Sequence, residues 1–299
     1  MKHQPILRVN SRYSVQIDSL LNRRLPDGGF SEVAGGDYRP EATAWAVICL
    51  ESFRIHSEIV TAARAKLVAS QLPDGSIPLA TDYPQAFWPT ATAAIALGGV
   101  PQYSQAHDRA IAFLLTSCGV QIPKTADSVT GHDSFIPGWP WIDKTHSWVV
   151  PTAMAIRALT LAGKAAHQRV QSGVNLLLDR QLPNGGWNYG NTTVFGKTLS
   201  DMPASTGVAL WALSGLTEPA KIVPSLDLLA RQLSRLRTPL SLGWALLGLA
   251  AWGVDLQNSD DLITDCLQRQ GKYGAYVTSQ LGTLLAAVPQ EKNARGSHA

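Results

Sequence analysis

One short phrase recurs three times along this chain and constrains its fold more than any other feature. It combines Leu-Pro-Asp/Asn-Gly with a preceding Arg or Gln and a following Phe, Ile or Trp, and it spans residues 24–30, 71–77 and 181–187. Each copy follows an amphipathic stretch, and after a variable loop comes an Ala/Leu-rich stretch that begins at a proline. Such repetition indicates a repeated structural unit, here helix, turn, loop and second helix.

The stretches before and after the phrase differ in polarity. Those before it, residues 14–24, 58–71 and 168–181, mix apolar and polar residues at helical spacing, which predicts helices with one exposed face. Those after it are apolar nearly all round, which predicts buried helices. The buried stretches start at prolines, which suit the first helical turn because their missing N–H would have no partner there: Pro40, Pro89, Pro151, Pro203 and Pro239.

Further stretches of both kinds bring the prediction to six exposed and six buried helices. Exposed helices are expected between 99 and 118, at 225–236 and at 260–270, and buried helices at 239–249 and 276–288. Six such pairs close most economically as an inner ring inside an outer ring, so we predict an all-α fold, an (α/α)6 toroid. The alternative is an open solenoid, which favours near-constant repeat length and polar capping repeats, and this chain has neither.

The toroid is expected to form a single domain over residues 1–289. Residues 290–299 are polar and aperiodic, and we expect a disordered tail or a remnant appended for expression.

The repeated phrase has a structural explanation. Pro at the second turn position and Gly where a positive φ is needed end the exposed helix and reverse the chain. The aromatic or Ile residue that follows can pack back between helices, and the Gln amide can bond free groups at the next helix end. The phrase therefore predicts structural staples and not catalytic residues.

Composition and charge exclude several classes of protein. With 45% hydrophobic and 16% charged residues in 299, the chain is typical of a compact globular protein, and its net charge of +3 does not indicate a nucleic-acid partner. Three cysteines, far apart and without Cys-x-x-Cys spacing, indicate neither a disulfide framework nor a zinc site. No apolar run reaches the 18 or so residues of a membrane span, and the N-terminal residues lack a signal-peptide pattern, so we expect a cytoplasmic protein. Peripheral membrane contact stays open.

The copy at 181–187 matches in full the Gln-Trp repeat of squalene-hopene and oxidosqualene cyclases, Gln181-x-x-x-Gly185-x-Trp187, and the other two copies resemble degenerate versions. The chain thus resembles the terpenoid cyclase and protein prenyltransferase superfamily over essentially its whole length. Those triterpene cyclases contain two barrels with the substrate cavity between them. This chain has length for one, so it resembles a single-barrel relative, and the motif is more specific for fold than for activity.

The diagnostic acids of that superfamily are missing. Class II cyclases carry Asp-x-Asp-Asp at the start of an inner helix, whereas the nearest string, residues 258–261, lies at the start of an exposed helix and lacks the first carboxylate. The Asp-Asp-x-x-Asp metal motif of class I synthases is also absent. A zinc prenyltransferase needs Asp-x-Cys and a later His, but Asp265 and Cys266 are adjacent and only His298 follows.

The six buried helices should all begin on one face of the ring, where their N-termini favour a carboxylate, a phosphate or a buried acidic side chain. Glu41 is the one carboxylate in the first turn of a buried helix, at a place similar to where the cyclases hold their acid. It is a candidate catalytic residue, and a helix-start charge that complements the dipole is the competing explanation.

The longest loop on that face, residues 119–150, holds the densest chemistry in the sequence. Asp133 or Asp143 could be a buried acid whose pKa is raised by desolvation, with His132 or His146 fixing its proton. The competing explanation is a loop pinned by Trp packing in which the Asp residues serve as turn or cap residues. A metal site from His132, Asp133 and His146 is the weaker hypothesis, since their spacing matches no ligand pattern, and we expect neither metal nor cofactor.

Nine tryptophans are a high count for 299 residues. Indole faces can hold an isoprenoid chain and stabilise a carbocation by cation–π attraction. Trp45, Trp211 and Trp244 fall within buried helices and are expected to face the ring interior. The substrate-binding candidates lie near the proposed mouth: Trp88, Trp139, Trp141 and Trp148.

We therefore predict a terpene cyclase-like isomerase that acts on a polyprenyl or isoprenoid substrate by acid-initiated carbocation chemistry. The first alternative is a non-enzymatic toroid that binds a lipid or a partner protein at the same mouth, and it predicts a shallow or plugged centre. The second is an (α/α)6 carbohydrate-active enzyme, which needs paired carboxylates about 5 to 10 Å apart. The sequence gives neither the substrate nor the oligomeric state.

Overall fold

The computed structural model describes residues 11–80, 82–125 and 128–289, and helices dominate this part of the chain. The helices with an exposed face are α1 (Ser14–Leu21), α3 (Ser57–Ala69), α5 (Ser104–Thr116), α7 (Gln168–Asp179), α9 (Val223–Leu233) and α11 (Ser259–Gln268). The buried ones are α2 (Pro40–Ser52), α4 (Pro89–Leu97), α6 (Val149–Leu161), α8 (Pro203–Leu213), α10 (Pro239–Ala251) and α13 (Thr278–Ala286). One short helix, α12 (Gln270–Tyr273), precedes the last. Residues 290–299, the predicted tail, lie outside the described residues.

The inner helices form a closed ring. Each packs against the next in the order α2, α4, α6, α8, α10, α13, and α13 packs back against α2. The outer helices surround this ring, each beside the inner helices that follow or precede it. The predicted α/α toroid is confirmed, and the open solenoid is excluded. Pro151 is the third residue of α6 and not the first, a position whose N–H has no partner within the helix.

The first and last parts of the ring are joined by hydrogen bonds between residues far apart in sequence. Thr278 Oγ1 donates to the Ser31 carbonyl at 2.6 Å, and the Thr278 amide donates to the Glu32 carbonyl at 2.9 Å. The buried guanidinium of Arg23 donates to the same threonine oxygen at 3.3 Å. These bonds lie at the start of α13, so they fix where the last inner helix enters the ring.

Glycines let two inner helices approach closely. A Cβ on Gly207 of α8 would lie 2.3 Å from the carbonyl oxygen of Trp244 in α10, and a Cβ on Gly248 of α10 would lie 2.4 Å from the Gly207 oxygen. Real Cβ atoms do not approach backbone this closely. The α8–α10 contact therefore depends on glycine at both positions.

The repeated phrase has the structural role that the sequence predicts. Its first glycine has a φ of +91° at Gly28, +92° at Gly75 and +91° at Gly185, the left-handed region that other residues avoid. The Gln amides bond to the segment that begins the next outer helix, because Gln71 donates to the Ala106 carbonyl at 2.8 Å and Gln181 to Ser225 Oγ at 2.7 Å. The second and third copies thus tie one outer helix to the next.

The residue that ends the phrase ties it to the inner ring. The backbone N–H groups of Phe30, Ile77 and Trp187 donate to threonine hydroxyls at 2.9, 2.8 and 2.9 Å. The three acceptors lie in the inner helix that follows each copy: Thr43, Thr90 and Thr206.

Trp139 makes a fourth tie of the same kind, a hydrogen bond from its backbone N–H to a threonine of the next inner helix. Its N–H donates to Thr152 Oγ1 at 3.0 Å, and its Nε1 donates to the carbonyl of Leu114 at 2.8 Å, just as Trp187 Nε1 donates to Leu177 at 2.6 Å. Trp139 is 1% exposed and lies in the hydrophobic core. Its position at the mouth, predicted from the sequence, is therefore wrong, because the segment before Trp139 lacks the Gln-Leu-Pro start that marks the other copies.

A β-hairpin lies in the segment between the two residues of the last tie. Strands β1 (Thr193–Val194) and β2 (Lys197–Thr198) are antiparallel and lie between Trp187 and its threonine partner. The long loop runs beside the hairpin, since the Phe195 amide donates to the Val129 carbonyl at 2.9 Å. Among the described residues, no helix is both long and apolar enough for a membrane span.

Candidate active site

A cavity of about 540 Å³ opens at the end of the ring where the inner helices begin. The first turns of the helices form its rim, and the next turns form its deeper walls. Residues of the rim include Glu41, Val150, Ala204, Leu240 and Gln280. Residues one turn deeper include Trp45, Thr92, Met154, Trp244 and Thr283.

Indoles pack along the ring axis at the bottom of this cavity. Trp45 and Trp244 meet edge to face with ring centroids 5.4 Å apart, and Trp211 packs on Trp244 at the same centroid distance. The guanidinium of Arg157 lies 4.9 Å from the Trp211 ring centroid. This stack gives the cavity an aromatic floor.

Glu41 is the one acidic side chain among the residues that line the cavity. It lies in the first turn of α2, and its Oε2 accepts a hydrogen bond of 2.7 Å from Trp88 Nε1. Burial raises the pKa of Glu41 to about 7, repulsion from Glu32 adds to the rise, and the bond from Trp88 opposes it. Near neutral pH the carboxyl group is therefore present in both its protonated and its ionised form.

Indoles also surround the acid. Trp88 and Trp141 meet edge to face at 5.5 Å, and both line the cavity together with Trp45 and Trp244. Ring faces of this kind attract cations and tolerate apolar chains. The cavity thus joins one protonatable group to an aromatic wall.

The long loop does not place its aspartates in this cavity. Asp143 is exposed, and it borders a separate groove of about 320 Å³ that also contains Cys118. Asp133 accepts a hydrogen bond of 2.9 Å from the Phe135 amide two residues later, which is the geometry of a turn residue. Asp133 therefore serves as a turn residue, as in the competing explanation drawn from the sequence.

The two histidines also lie outside the cavity lining. His132 is buried, and burial together with the nearby Arg180 lowers its pKa to about 4, which keeps the ring neutral. His146 is exposed and packs against Trp148, with ring centroids 4.9 Å apart. Among the described residues no cluster of three or more His, Cys, Asp or Glu could hold a metal ion.

Of the sequence candidates, the structure brings three together in one cavity, namely Glu41, Trp88 and Trp141. It does not bring Trp139, Trp148 or the four polar residues of the long loop to that site. Sequence reasoning missed the polar cavity residues Ser205, Ser241 and Gln280. Each is the third residue of an inner helix, so helix register could have found them.

Several solved structures have the same architecture. A variant of type II terpene cyclase MstE from Scytonema, in complex with geranylgeranyl dihydroxybenzoate, aligns with a TM-score of 0.61 at 14% identity, over 92% of this chain and 96% of that one. A protein from Actinoplanes aligns with a TM-score of 0.62 at 17% identity, over 93% of this chain and 97% of that one. This chain has the fold of the type II terpene cyclases. The superfamily resemblance drawn from the Gln-Trp repeat is thereby confirmed at the level of fold.

A third neighbour has different chemistry. The endo-1,4-D-glucanase from Vibrio fischeri ES114 aligns with a TM-score of 0.54 at 13% identity, over 92% of this chain and 93% of that one. No family model matches the sequence, and no curated protein matches it. Because one toroid fold serves both cyclases and glucanases, the chemistry has to be argued from the cavity.

Proposed function

We propose that this protein is a class II-like terpene cyclase, an isomerase that cyclises an isoprenoid substrate with Glu41 as the acid. The observation that carries the proposal is a carboxyl group of raised pKa in a cavity walled by indoles. The prenyl-bearing ligand of the cyclase MstE supports a substrate of this class. A glucanase-like reaction is disfavoured, because it needs a second carboxylate about 5 to 10 Å away and the cavity lining has one.

The proposed reaction begins with proton transfer from Glu41 to a terminal alkene. The alkene π pair forms the new C–H bond and leaves a carbocation, which the next double bond attacks to form a C–C bond. Loss of a proton from a neighbouring carbon restores an alkene, so the product is an isomer of the substrate. That proton returns to water at the mouth, from which Glu41 is protonated again.

Two features of the site assist the transfer. The raised pKa keeps a proton on Glu41 near pH 7, and the Trp88 N–H bond becomes stronger as the carboxylate charge develops. The faces of Trp45, Trp141 and Trp244 can stabilise the carbocation by about 1 to 2 kcal/mol each.

The test is turnover of linear C10 to C20 prenyl compounds by wild type, Glu41→Gln and a matched control, with isomeric products detected by mass spectrometry. We expect Glu41→Gln to lower kcat about 100-fold or more, the typical contribution of a general acid. Asp143→Asn, the control, removes an exposed carboxylate outside the cavity and should leave turnover within about twofold.

Circular dichroism checks that both variants remain folded. Equal turnover in wild type and Glu41→Gln would exclude Glu41 as the acid. Loss of turnover in Asp143→Asn with retention in Glu41→Gln would move the acid to the long loop. Prenyl binding without turnover in any form of the protein would favour the non-enzymatic lipid-binding toroid.

A further inference from the structure

The cavity has two chemically different halves. The half formed by α2, α4 and α6 contains the acid Glu41, with the indoles Trp45 and, directly before α4, Trp88. The other half, formed by α8, α10 and α13, contains the uncharged polar residues Ser205, Ser241 and Gln280 and the indole Trp244. Because the six helices close in order, α8 lies across the ring from α2. The serine of α8 therefore faces the acid from the opposite wall.

Ser205 has a hydroxyl without a protein partner. The residue lines the cavity and is 2% exposed, and its hydroxyl makes no hydrogen bond to a side chain or backbone group within the described part of the chain. The buried threonines that tie the ring, such as Thr43, Thr90 and Thr206, all have partners at 2.7 to 2.9 Å. Ser205 Oγ is not one of the fully buried side-chain atoms that lack a partner, so this hydroxyl is accessible from the cavity. It is therefore available to a hydrogen-bonding group of a ligand.

The charge of the cavity limits what that group can be. No lysine, arginine or histidine is among the residues that line it, and its one ionisable acid is Glu41. The N-terminus of α13 is already occupied, since the amide and hydroxyl of Ser279 donate to Glu32 Oε2 at 3.0 and 3.1 Å. An anionic head group such as a diphosphate would meet the Glu41 carboxyl group and no cationic side chain of the lining. A neutral oxygen group fits this half of the cavity.

We propose that the ligand is a prenyl compound with a neutral hydroxyl or carbonyl head group, bound by Ser205 with Ser241 and Gln280 beside it. The prenyl part of this assignment rests on the proposed function, and the head group rests on the polar half of the cavity. The two ends of the ligand then lie against opposite walls. The oxygen meets α8, and the reacting alkene meets Glu41 on α2.

The test is equilibrium binding at pH 6, followed by the fluorescence of the cavity tryptophans and by calorimetry. The probes are farnesol, the matching hydrocarbon with methyl in place of hydroxyl, and farnesyl diphosphate. The proteins are wild type, Ser205→Ala and Ser172→Ala. Ser172 is the control, a hydroxyl on the exposed face of α7 outside the cavity.

We expect Ser205→Ala to weaken farnesol binding about 3- to 10-fold, the loss of one hydrogen bond, and to change hydrocarbon binding less than 2-fold. Ser172→Ala should leave the farnesol affinity within 2-fold. Comparing each variant with wild type for the same ligand cancels differences in ligand hydrophobicity.

Equal effects of Ser205→Ala on farnesol and on the hydrocarbon would overturn the head-group assignment and leave the proposed function standing. Tighter binding of the diphosphate than of farnesol would overturn the neutral character of the group. Failure of all three probes to bind wild type would overturn the prenyl substrate class itself. Loss of turnover in Glu41→Gln with farnesol affinity intact separates the chemistry from this binding site.

Discussion

Opposing effects act on the pKa of the Glu41 carboxyl group. Burial and the nearby Glu32 favour its protonated form, and the Trp88 N–H favours its ionised form. Burial, which keeps a proton on Glu41, also raises the free energy of the folded protein when Glu41 is ionised. Stability and pH are therefore linked at this residue.

That linkage gives a prediction for Glu41→Gln. Between the ordinary carboxyl value of 4.5 and a pKa of about 7, the folded chain binds more protons at this site than the unfolded chain. The free energy of unfolding of wild type should thus fall as pH rises through this window, and the neutral variant should not share the fall. Relative to wild type, we expect Glu41→Gln to gain about 2 kcal/mol between pH 5 and pH 8.

Urea denaturation at the two pH values measures the difference. Glu58→Gln, an exposed carboxylate in the first turn of α3, is the control and should show no such gain. A pH-independent difference between wild type and Glu41→Gln would mean that Glu41 is ionised normally.

Single residues of the site were predictable from the sequence where helix register decides their position. The position of Glu41 follows from the start of α2, because the residue after Pro40 lies in the first turn of that helix. Asp133 and Asp143 could not be placed in this way, since the path of their loop depends on tertiary contacts. Arg169 of α7 donates to the Ser117 and Gly138 carbonyls at 2.7 and 2.9 Å, which holds a residue before the loop and a residue within it to the same helix.

Among the elements, the α8–α10 pair sets one side of the cavity through its glycine contact. Alanine is ordinarily preferred to glycine in a helix by about 1 kcal/mol. At Gly207 the added Cβ would lie 2.3 Å from the Trp244 carbonyl oxygen, which is backbone and cannot rotate away. We expect Gly207→Ala to destabilise the protein by about 1 to 3 kcal/mol, because overpacking outweighs helix propensity.

Thermal and urea unfolding measure the effect. Gly271→Ala in α12 is the matched control, since a Cβ there meets nothing within 4 Å, and it should be neutral or slightly stabilising. Stabilisation by Gly207→Ala would show that the two helices separate without cost.

At this scale the sequence predicted the alternation of helices and the staples, and it missed the fourth tie. Trp139 lies 13 residues before Thr152, the same spacing as Phe30 to Thr43 and Ile77 to Thr90. Counting back from each inner-helix threonine would have found it. The phrase was recognised by its Leu-Pro-Asp/Asn-Gly string, and here only Pro137 and Gly138 precede the tryptophan.

The ring is closed by contacts that no local sequence pattern predicts. The bond from Thr278 to Ser31 joins residues 247 positions apart. Polarity along the chain predicted that six pairs form a ring, because six apolar helices need mutual burial. The particular groups that close it could not be predicted, since they meet only after every intervening helix is packed.

Closure predicts a measurable effect of Thr278→Val, which keeps the shape of the side chain and removes its hydroxyl. The buried carbonyl of Ser31 and the guanidinium of Arg23 would each lose a partner. We expect a loss of about 1 to 2 kcal/mol in the free energy of unfolding, with a single cooperative transition. Thr61→Val on outer helix α3, whose hydroxyl bonds only within its own helix at 2.9 Å, should change stability by less than about 0.5 kcal/mol. Equal stability of the two variants would exclude a role for this bond in closure.

The β-hairpin shows how the rim can change without disturbing the ring. Trp187 and Thr206 keep the same 2.9 Å bond as Phe30 and Thr43, although 19 positions separate the first pair and 13 the second. Tyr189 and Met202, which line the cavity, lie in the lengthened segment. The ends of this segment are anchored by the bond between Trp187 and Thr206, so its length and sequence can vary while the ring stays in place. Substrate preference can therefore diverge in evolution, or be redesigned by loop exchange, while the scaffold that carries stability stays the same.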